Sequence, residues 1–334
     1  MPEIRQNIIT REWVIIATER AKRPEDFSRQ DGERPCPPRH VPTCPFCVGN
    51  EDKTPPEVYR QPSQGPWQVR VVPNKFSALD PTAQLSRHIY GLKRTITGVG
   101  IHEVIVETPD HDRVLALLSE TEIARVLETY QQRYMAITSD PRVAHVTLFK
   151  NHGIRAGTSL EHPHSQLVGT PIIPPDVRNR MENALRFYDE TGECIHCAVL
   201  ADELRDQERI VAQSRDFVAF VPYASLTPFH LWVYPLHHTA SFGEATPEQL
   251  ADLARLLRLV VRKVYFGLSN PDYNVAVRTP PSEAKGLRYY HWYMSMIPRV
   301  TRVAGFEIGS GMFINPSLPE ASAAFLRDTP ADPA

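Results

Sequence analysis

The chain has 334 residues, enough for two domains of ordinary size or for one large one. Its hydrophobic share of 42% and charged share of 23% are those of a folded globular protein and exclude disordered, collagen-like and coiled-coil chains. With 37 Lys and Arg against 39 Asp and Glu, the net charge of −2 offers no basic field for nucleic acid or an anionic membrane.

At the N-terminus, Met1 to Asn7 mixes charge and polarity where a secretory signal needs a basic and then an apolar stretch, so a cytoplasmic protein is expected. β-Branched and aromatic runs bounded by polar residues predict strands over 12–17, 68–72, 103–107 and 146–149. Between the last two, Ser119 and Glu122 form a capping-box pattern ahead of Ile123, Val126, Leu127, Tyr130 and Ile137 at helical spacing. The stretch 173–193 is rich in Pro and charge, then helical, and reads as a linker. Beyond it, strands are predicted over 217–221, 231–234 and 273–277. A second helix opens at Thr246 and Pro247 and carries Leu250, Leu253, Leu257, Val260 and Val264. The apolar stretch 217–236 is broken by Pro222, Pro228, His230 and Pro235, so no membrane span is predicted. The residues from about Glu320 onward, rich in Ala, Pro and Asp, are expected to be partly mobile.

Disulfides are rare in the cytoplasm, so the five cysteines read as metal ligands, redox groups or buried thiols. Cys36 stands alone in a Pro-rich loop, while the other four form Cys44-Pro-Phe-Cys47 and Cys194-Ile-His-Cys197. The two-residue spacing lets a tight turn aim both thiolates at one tetrahedral zinc ion; a redox dithiol or a pair of unrelated thiols is the alternative. His111 and His162 follow the first pair, and His238 and His291 follow the second, where His196, His230 and His237 compete for the same role. The pairs lie 150 residues apart, and each half reads as strands, helix, strands. A duplicated module with one closed Cys₂His₂ site per half explains this pattern, and a closed site is structural because no ligand position remains for water. The expected fold is therefore α+β in two tandem halves, residues 1–172 and 173–334, each with a zinc site.

The residues suited to chemistry end the first half: Asn151-His152-Gly153-Ile154-Arg155-Ala156-Gly157-Thr158-Ser159, then His162-Pro163-His164-Ser165-Gln166. On a strand His162, His164 and Gln166 share one face, just after a loop whose amides can cradle phosphate oxygens. With His162 assigned to metal, His164 is left as a free imidazole able to attack phosphorus, and Gln166 as a donor to a phosphoryl oxygen. A second metal ligand or a solvent-facing strand residue is the plainer reading of His164. In the second half the same register puts Tyr293 two residues after His291, so one half reads as catalytic and the other as degenerate.

These motifs resemble the galactose-1-phosphate uridylyltransferase family, a branch of the histidine triad superfamily. The resemblance also covers Arg20-Ala-Lys-Arg23-Pro24, Val72-Pro-Asn74-Lys-Phe-Ser-Ala-Leu79, Pro109-Asp-His111, Val221-Pro-Tyr223 and Pro228-Phe229. It implies halves of histidine-triad type, each an antiparallel sheet with packed helices, and ping-pong nucleotidyl transfer with His164 as the covalent nucleophile. It further implies that Gln166 and Ser159 touch the transferred phosphoryl group and that Asn151 and Gly157 line its loop. Arg20 and Arg23 would neutralise phosphates, Asn74 would sit in the nucleotide pocket, and Glu307 would accept from a sugar hydroxyl. The partners so implied are a nucleotide sugar, a sugar 1-phosphate or phosphate, and a second copy of the chain. UDP-glucose–hexose-1-phosphate uridylyl transfer is the first reading. Ser165 and the stretch Gly305-Phe-Glu-Ile-Gly-Ser-Gly311 instead resemble the subgroup that includes plant ADP-glucose phosphorylase, which hands adenylyl to phosphate. Dinucleoside polyphosphate phosphorolysis and a non-catalytic zinc-stabilised nucleotide-binding protein are further alternatives, and the intact His164 and Gln166 argue against the last. A nucleic-acid-binding zinc protein is disfavoured because the histidines lie too far from the cysteine pairs for finger spacing.

Overall fold

The computed structural model describes residues 1–17, 27, 37–284 and 286–332. The first half opens with strands β1 (Glu3–Gln6) and β2 (Trp13–Ile16), then β3 (Tyr59–Gln61) and β4 (Val69–Pro73). A hairpin of β5 (Arg87–Tyr90) and β6 (Lys93–Ile96) precedes β7 (Ile101–Val106), helix α1 (Glu120–Thr138), β8 (His145–His152) and β9 (His164–Thr170). Helices α2 (Pro175–Thr191) and α3 (Ile195–Asp206) follow, the first of them filling the stretch read as a linker. The second half continues with β10 (Ile210–Gln213), β11 (Phe217–Phe220), β12 (Leu231–Pro235), α4 (Pro247–Gly267), β13 (Tyr273–Arg278) and β14 (Tyr293–Pro298). It closes with α5 (Gly305–Ser310), β15 (Phe313–Asn315) and α6 (Pro319–Asp328).

The class is α+β, as expected. Ten strands form one antiparallel sheet in the order β10-β11-β12-β14-β13-β8-β9-β7-β4-β3. From either edge inward the order repeats: β3-β4-β7-β9-β8 on one side matches β10-β11-β12-β14-β13 on the other. The two series meet at the antiparallel pair β8–β13, where Asn151 faces Asn274 and Val277 faces Leu148. A small second sheet, β1-β2-β15, ties the two chain ends together.

The helices α1 and α4 start at matching capping boxes, Ser119 with Glu122 and Thr246 with Gln249, which satisfy amides that a helix N-terminus leaves bare. Their apolar stripes pack on each other and on one face of the sheet to make the main core, in which Ile123, Leu253 and Val264 are fully buried. On the opposite face the halves differ. The second half is covered by α2 and α3, whose Ala184, Ile195 and Leu200 pack on Val218, Phe220 and Tyr234. In the first half that face carries the loop containing Cys44 and Cys47, packed with Phe46 and Trp67 on Val72, Val104 and Val106.

The expectation of a mobile tail is corrected. α6 places Ala323 and Leu326 out of solvent, and the Lys263 ammonium of α4 donates to the carbonyls of Arg327 and Thr329 at its C-terminal end. Small apolar residues at helical spacing fit the flank of α4, which the composition alone did not suggest.

Candidate active site and metal centres

Cys44, Cys47, His111 and His162 are all buried, and their donor atoms lie within 4.8 Å of one another. Cys47 Sγ is 3.5 Å from His111 Nδ1 and 3.6 Å from His162 Nδ1. A tetrahedral ion with Zn–S about 2.3 Å and Zn–N about 2.0–2.1 Å sets sulfur and nitrogen about 3.5 Å apart, so the spacing fits. The Val41 N–H donates to Cys47 Sγ, as a thiolate would attract, and His162 Nε2–H donates to Thr108 O at 2.8 Å. That second bond fixes the tautomer with the Nδ1 lone pair turned inward. Burial pulls His162 down to about 4, which keeps it neutral as ligation requires.

The second group follows the same plan. Cys194, Cys197 and His238 bring their donor atoms within 4.8 Å, and His291 Nδ1 stands 3.6 Å from Cys197 Sγ. His238 Nδ1 is 3.3 Å from the same sulfur, while its Nε2–H donates to Leu287 O. Two of the competing histidines point elsewhere: His196 meets the Tyr234 hydroxyl, and His230 meets Ser295 Oγ. Both groups could hold a metal ion.

His164 opens β9 immediately beyond the first group. Its Nδ1–H donates to its neighbour's carbonyl, His162 O, at 2.8 Å, which leaves Nε2 as the ring's free lone pair. Burial holds the ring below the usual imidazole range, against the pull of the His162 carbonyl and with the help of the Lys150 charge. His164 lines a cleft of about 450 Å³ together with Gln166, Asn74, Ser159, Lys53 and Phe76. Phe46, from between the two cysteines, packs on the imidazole at 5.4 Å between ring centres. The side of β9 facing α1 is charged: the Lys150 ammonium donates to Glu107 at 2.6 Å and to His164 O at 3.2 Å, and Tyr130 and Ser165 hydroxyls also donate to Glu107. Burial alone would raise the Glu107 carboxyl, but Lys150 and these hydroxyls hold it below the usual carboxylate range.

The loop between β8 and β9 is built for close backbone approach. Gly153 has φ 84° and Gly157 φ 88°, and a Cβ on Gly153 would lie 1.8 Å from Asp272 Oδ1. Asp272, just ahead of β13, also accepts from the Arg155 N–H. The Asn151 amide nitrogen lies 3.9 Å from where a Cβ on Gly157 would be. The cleft thus brings together His164, Gln166, Asn74 and Ser159, with Asn151 near the end of β8 and Gly157 in the loop that follows it. Glu307 does not line it; its carboxylate accepts from the Ala304 N–H at the start of its own helix. Arg20, Arg23 and Cys36 lie outside the described residues.

His102 escaped the sequence reading: its Nε2 stands 2.8 Å from Gln166 Oε1 and 3.0 Å from Asn74 Nδ2. The Glu107–Lys150 pair escaped it too, although one signal was there. Val146, Leu148 and Lys150 alternate on the core face of β8, so a charge continues an apolar series.

Residues 1–174 match the family described as galactose-1-phosphate uridyl transferase, N-terminal domain. The chain belongs to the galactose-1-phosphate uridylyltransferase family. It is accordingly an enzyme of the nucleotidyltransferase class. An ADP-glucose phosphorylase of Arabidopsis thaliana is 35% identical over 332 residues, covering 98% of this chain and 93% of that one. A galactose-1-phosphate uridylyltransferase of Thermotoga maritima is 28% identical, covering 98% and 99%. Among solved structures, the Arabidopsis thaliana ADP-glucose phosphorylase with bound ADP-glucose superposes with a TM-score of 0.84 at 32% identity, over 99% of both chains. A uridylyltransferase structure gives 0.76 at 26% identity, over 98% of each.

Proposed function

We propose that this chain moves a nucleotidyl group from a nucleotide sugar to a second phosphate through a covalent adduct on His164. The carrying observation is the Nδ1–H bond from His164 to His162 O on a ring that lines the cleft. His164 Nε2 attacks the α-phosphorus; the P–N bond forms, the P–O bond to the leaving phosphate breaks, and sugar 1-phosphate departs. The positive charge that develops on the ring is met by the His162 carbonyl. An oxygen of the acceptor phosphate then attacks the same phosphorus and the P–N bond breaks, so that the imidazole is restored neutral with no net proton transfer.

Gln166 and Ser159 are assigned to the transferred phosphoryl group, Asn151 and Gly157 to its loop, and Asn74 to the nucleotide pocket. Arg20 and Arg23 are assigned to phosphate charge and Glu307 to a sugar hydroxyl, the last in a site completed by a second copy of the chain. Two structural zinc ions, held by Cys44, Cys47, His111 and His162 and by Cys194, Cys197, His238 and His291, would pin the loops around the nucleophile; the mirrored donor sets support this. The division at 172/173 into a catalytic and a degenerate half rests on the mirrored strand order.

UDP-glucose–hexose-1-phosphate uridylyl transfer is the first form of this reading. Adenylyl transfer from ADP-glucose to phosphate is the second, favoured by the 35% identity to the plant phosphorylase against 28% to the bacterial uridylyltransferase. Intact-protein mass after brief incubation with each donor decides between them. A uridylyl increment that His164→Ala abolishes supports the first, an adenylyl increment the second, and no increment with either overturns both in favour of another nucleotide donor or a non-catalytic nucleotide-binding protein.

A further inference from the structure

The catalytic loop is fastened in part by residues of the other half. Asp272 accepts from the Arg155 N–H, and Asn274 on β13 donates through Nδ2 both to Ala156 O at 2.8 Å and to Asn151 Oδ1 at 2.7 Å. Asn274 and Asn151 are direct partners across the β8–β13 pair, so their side chains meet on one face of the sheet. Beyond Asn274, Arg299 donates through Nε to Asn274 Oδ1 at 2.5 Å. The Arg299 backbone N–H also donates to Asp272 O.

An amide side chain can face a neighbour with either its oxygen or its nitrogen, but a guanidinium can only donate. Arg299 therefore obliges Asn274 to turn its oxygen inward, which leaves Asn274 Nδ2 facing Asn151. Asn151 must answer with its own oxygen, and its Nδ2 is turned toward the loop at Gly157. The amides in the series are thereby oriented by two obligate partners of Asn274, the Arg299 donor on its oxygen and the Ala156 carbonyl on its nitrogen. No carboxylate pairs with Arg299 among the described residues.

We propose that Asn274 and Arg299 are positioning residues that set the polarity of the Asn151 amide, so that a hydrogen-bond donor rather than an acceptor faces the phosphoryl oxygens. This rests on the reading that Asn151 borders the transferred phosphoryl group. A donor fixed in advance stabilises oxygen charge as it develops, whereas a carbonyl at the same place repels it. The degenerate half thus acts on the chemistry of the other half without touching the substrate.

Asn274→Asp tests the idea with little change of shape. The carboxylate still accepts from Arg299 but cannot donate, so Asn151 must turn over and present its oxygen to the loop. Asn274→Ala releases Asn151, which is then free to take either orientation, and leaves Ala156 O without this donor. The expected order of single-turnover labelling with UDP-glucose or ADP-glucose is wild type, then Asn274→Ala, then Asn274→Asp slowest by about a hundredfold, with KM little changed. A merely structural role, acting through the bond to Ala156 O that both variants lose, slows labelling whether or not the Asn151 amide is present. In an Asn151→Ala background both effects should vanish. Asn274→Ala as slow as or slower than Asn274→Asp, or effects that persist without the Asn151 amide, would overturn the relay while leaving the His164 mechanism intact. An Asn151→Ala variant that labels at the wild-type rate would instead sink the placement of Asn151 itself. Zinc per chain and melting temperature, measured on each variant, keep misfolding from imitating either result.

Discussion

The two halves carry the same plan to opposite ends. In both, a strand starts two residues after a histidine of the metal group: β9 with His164, β14 with Tyr293. In both, the residue before the second cysteine packs on that position, Phe46 on His164 at 5.4 Å and His196 on Tyr293 at 5.7 Å. Around His164 the strand face stays open as a cleft. Around Tyr293 it is filled: Tyr234 stacks on the ring at 4.7 Å, Trp232 lies 5.1 Å away, and the Arg180 guanidinium of α2 donates to the phenol oxygen. Tyr293 is 0% exposed. The cysteine–histidine group thus occurs twice, while the strand face beside it is an open cleft in the first half and is packed in the second.

The sharpest test of that contrast is metal loss. Cys47→Ser should lose one zinc, much of the thermal stability and all labelling of His164, because the same loop carries Phe46 and walls the cleft. Cys194→Ser should lose the other zinc and stability with it while the remaining folded protein still labels. Equal loss of labelling in both variants, normalised to folded protein, would break the division of labour.

Next in size is the buried pair on the α1 side of β9. Lys150→Met leaves the Glu107 carboxylate without its cation and should cost about 3–5 kcal/mol near pH 7 by chemical denaturation. Glu107 is depressed in the folded protein, so its contribution is present above its unfolded value, about 4.3, and is lost as pH falls through the folded value. The gap between wild type and variant should therefore narrow as pH drops below about 4. A gap that is constant across this range would show that Glu107 is not the group responsible.

Tyr293→His would place an imidazole at the matching position of the second half. With Arg180 and the surrounding rings in place, the expected result is still one nucleotidyl increment per chain. The lost hydroxyl should cost about 1–3 kcal/mol, since a buried guanidinium loses its acceptor. A second increment in the intact mass would show that packing is not what silences this half. The smallest effect concerns the matched helix starts. Ser119→Ala and Thr246→Ala should each cost about 1 kcal/mol, and the double variant should cost the sum.

What was legible in the sequence was local. The cysteine pairs, the alternation of His162, His164 and Gln166, and the capping boxes are all short-range patterns, and each reappears where its spacing places it. What was not legible depends on register between distant strands. Nothing in the neighbourhood of Asn274 marks it as the partner of Asn151, because the contact exists only once β13 pairs with β8. His102 was hidden for the same reason, its link to Gln166 crossing from β7 to β9. The tail was misjudged from composition, since Ala and Pro mark both mobile ends and short helices that nestle on a neighbour.

The seam between β8 and β13 also bears on how the protein can be made. It joins chain segments more than a hundred residues apart, so the first half leaves the ribosome with a long, apolar strand edge that nothing yet covers. A chain cut after residue 172 would keep that edge for good, offering the backbone of Val146 and Leu148 to any passing strand. Such a fragment should precipitate, or pair with its own copies, even with Cys44, Cys47, His111, His162 and His164 all present.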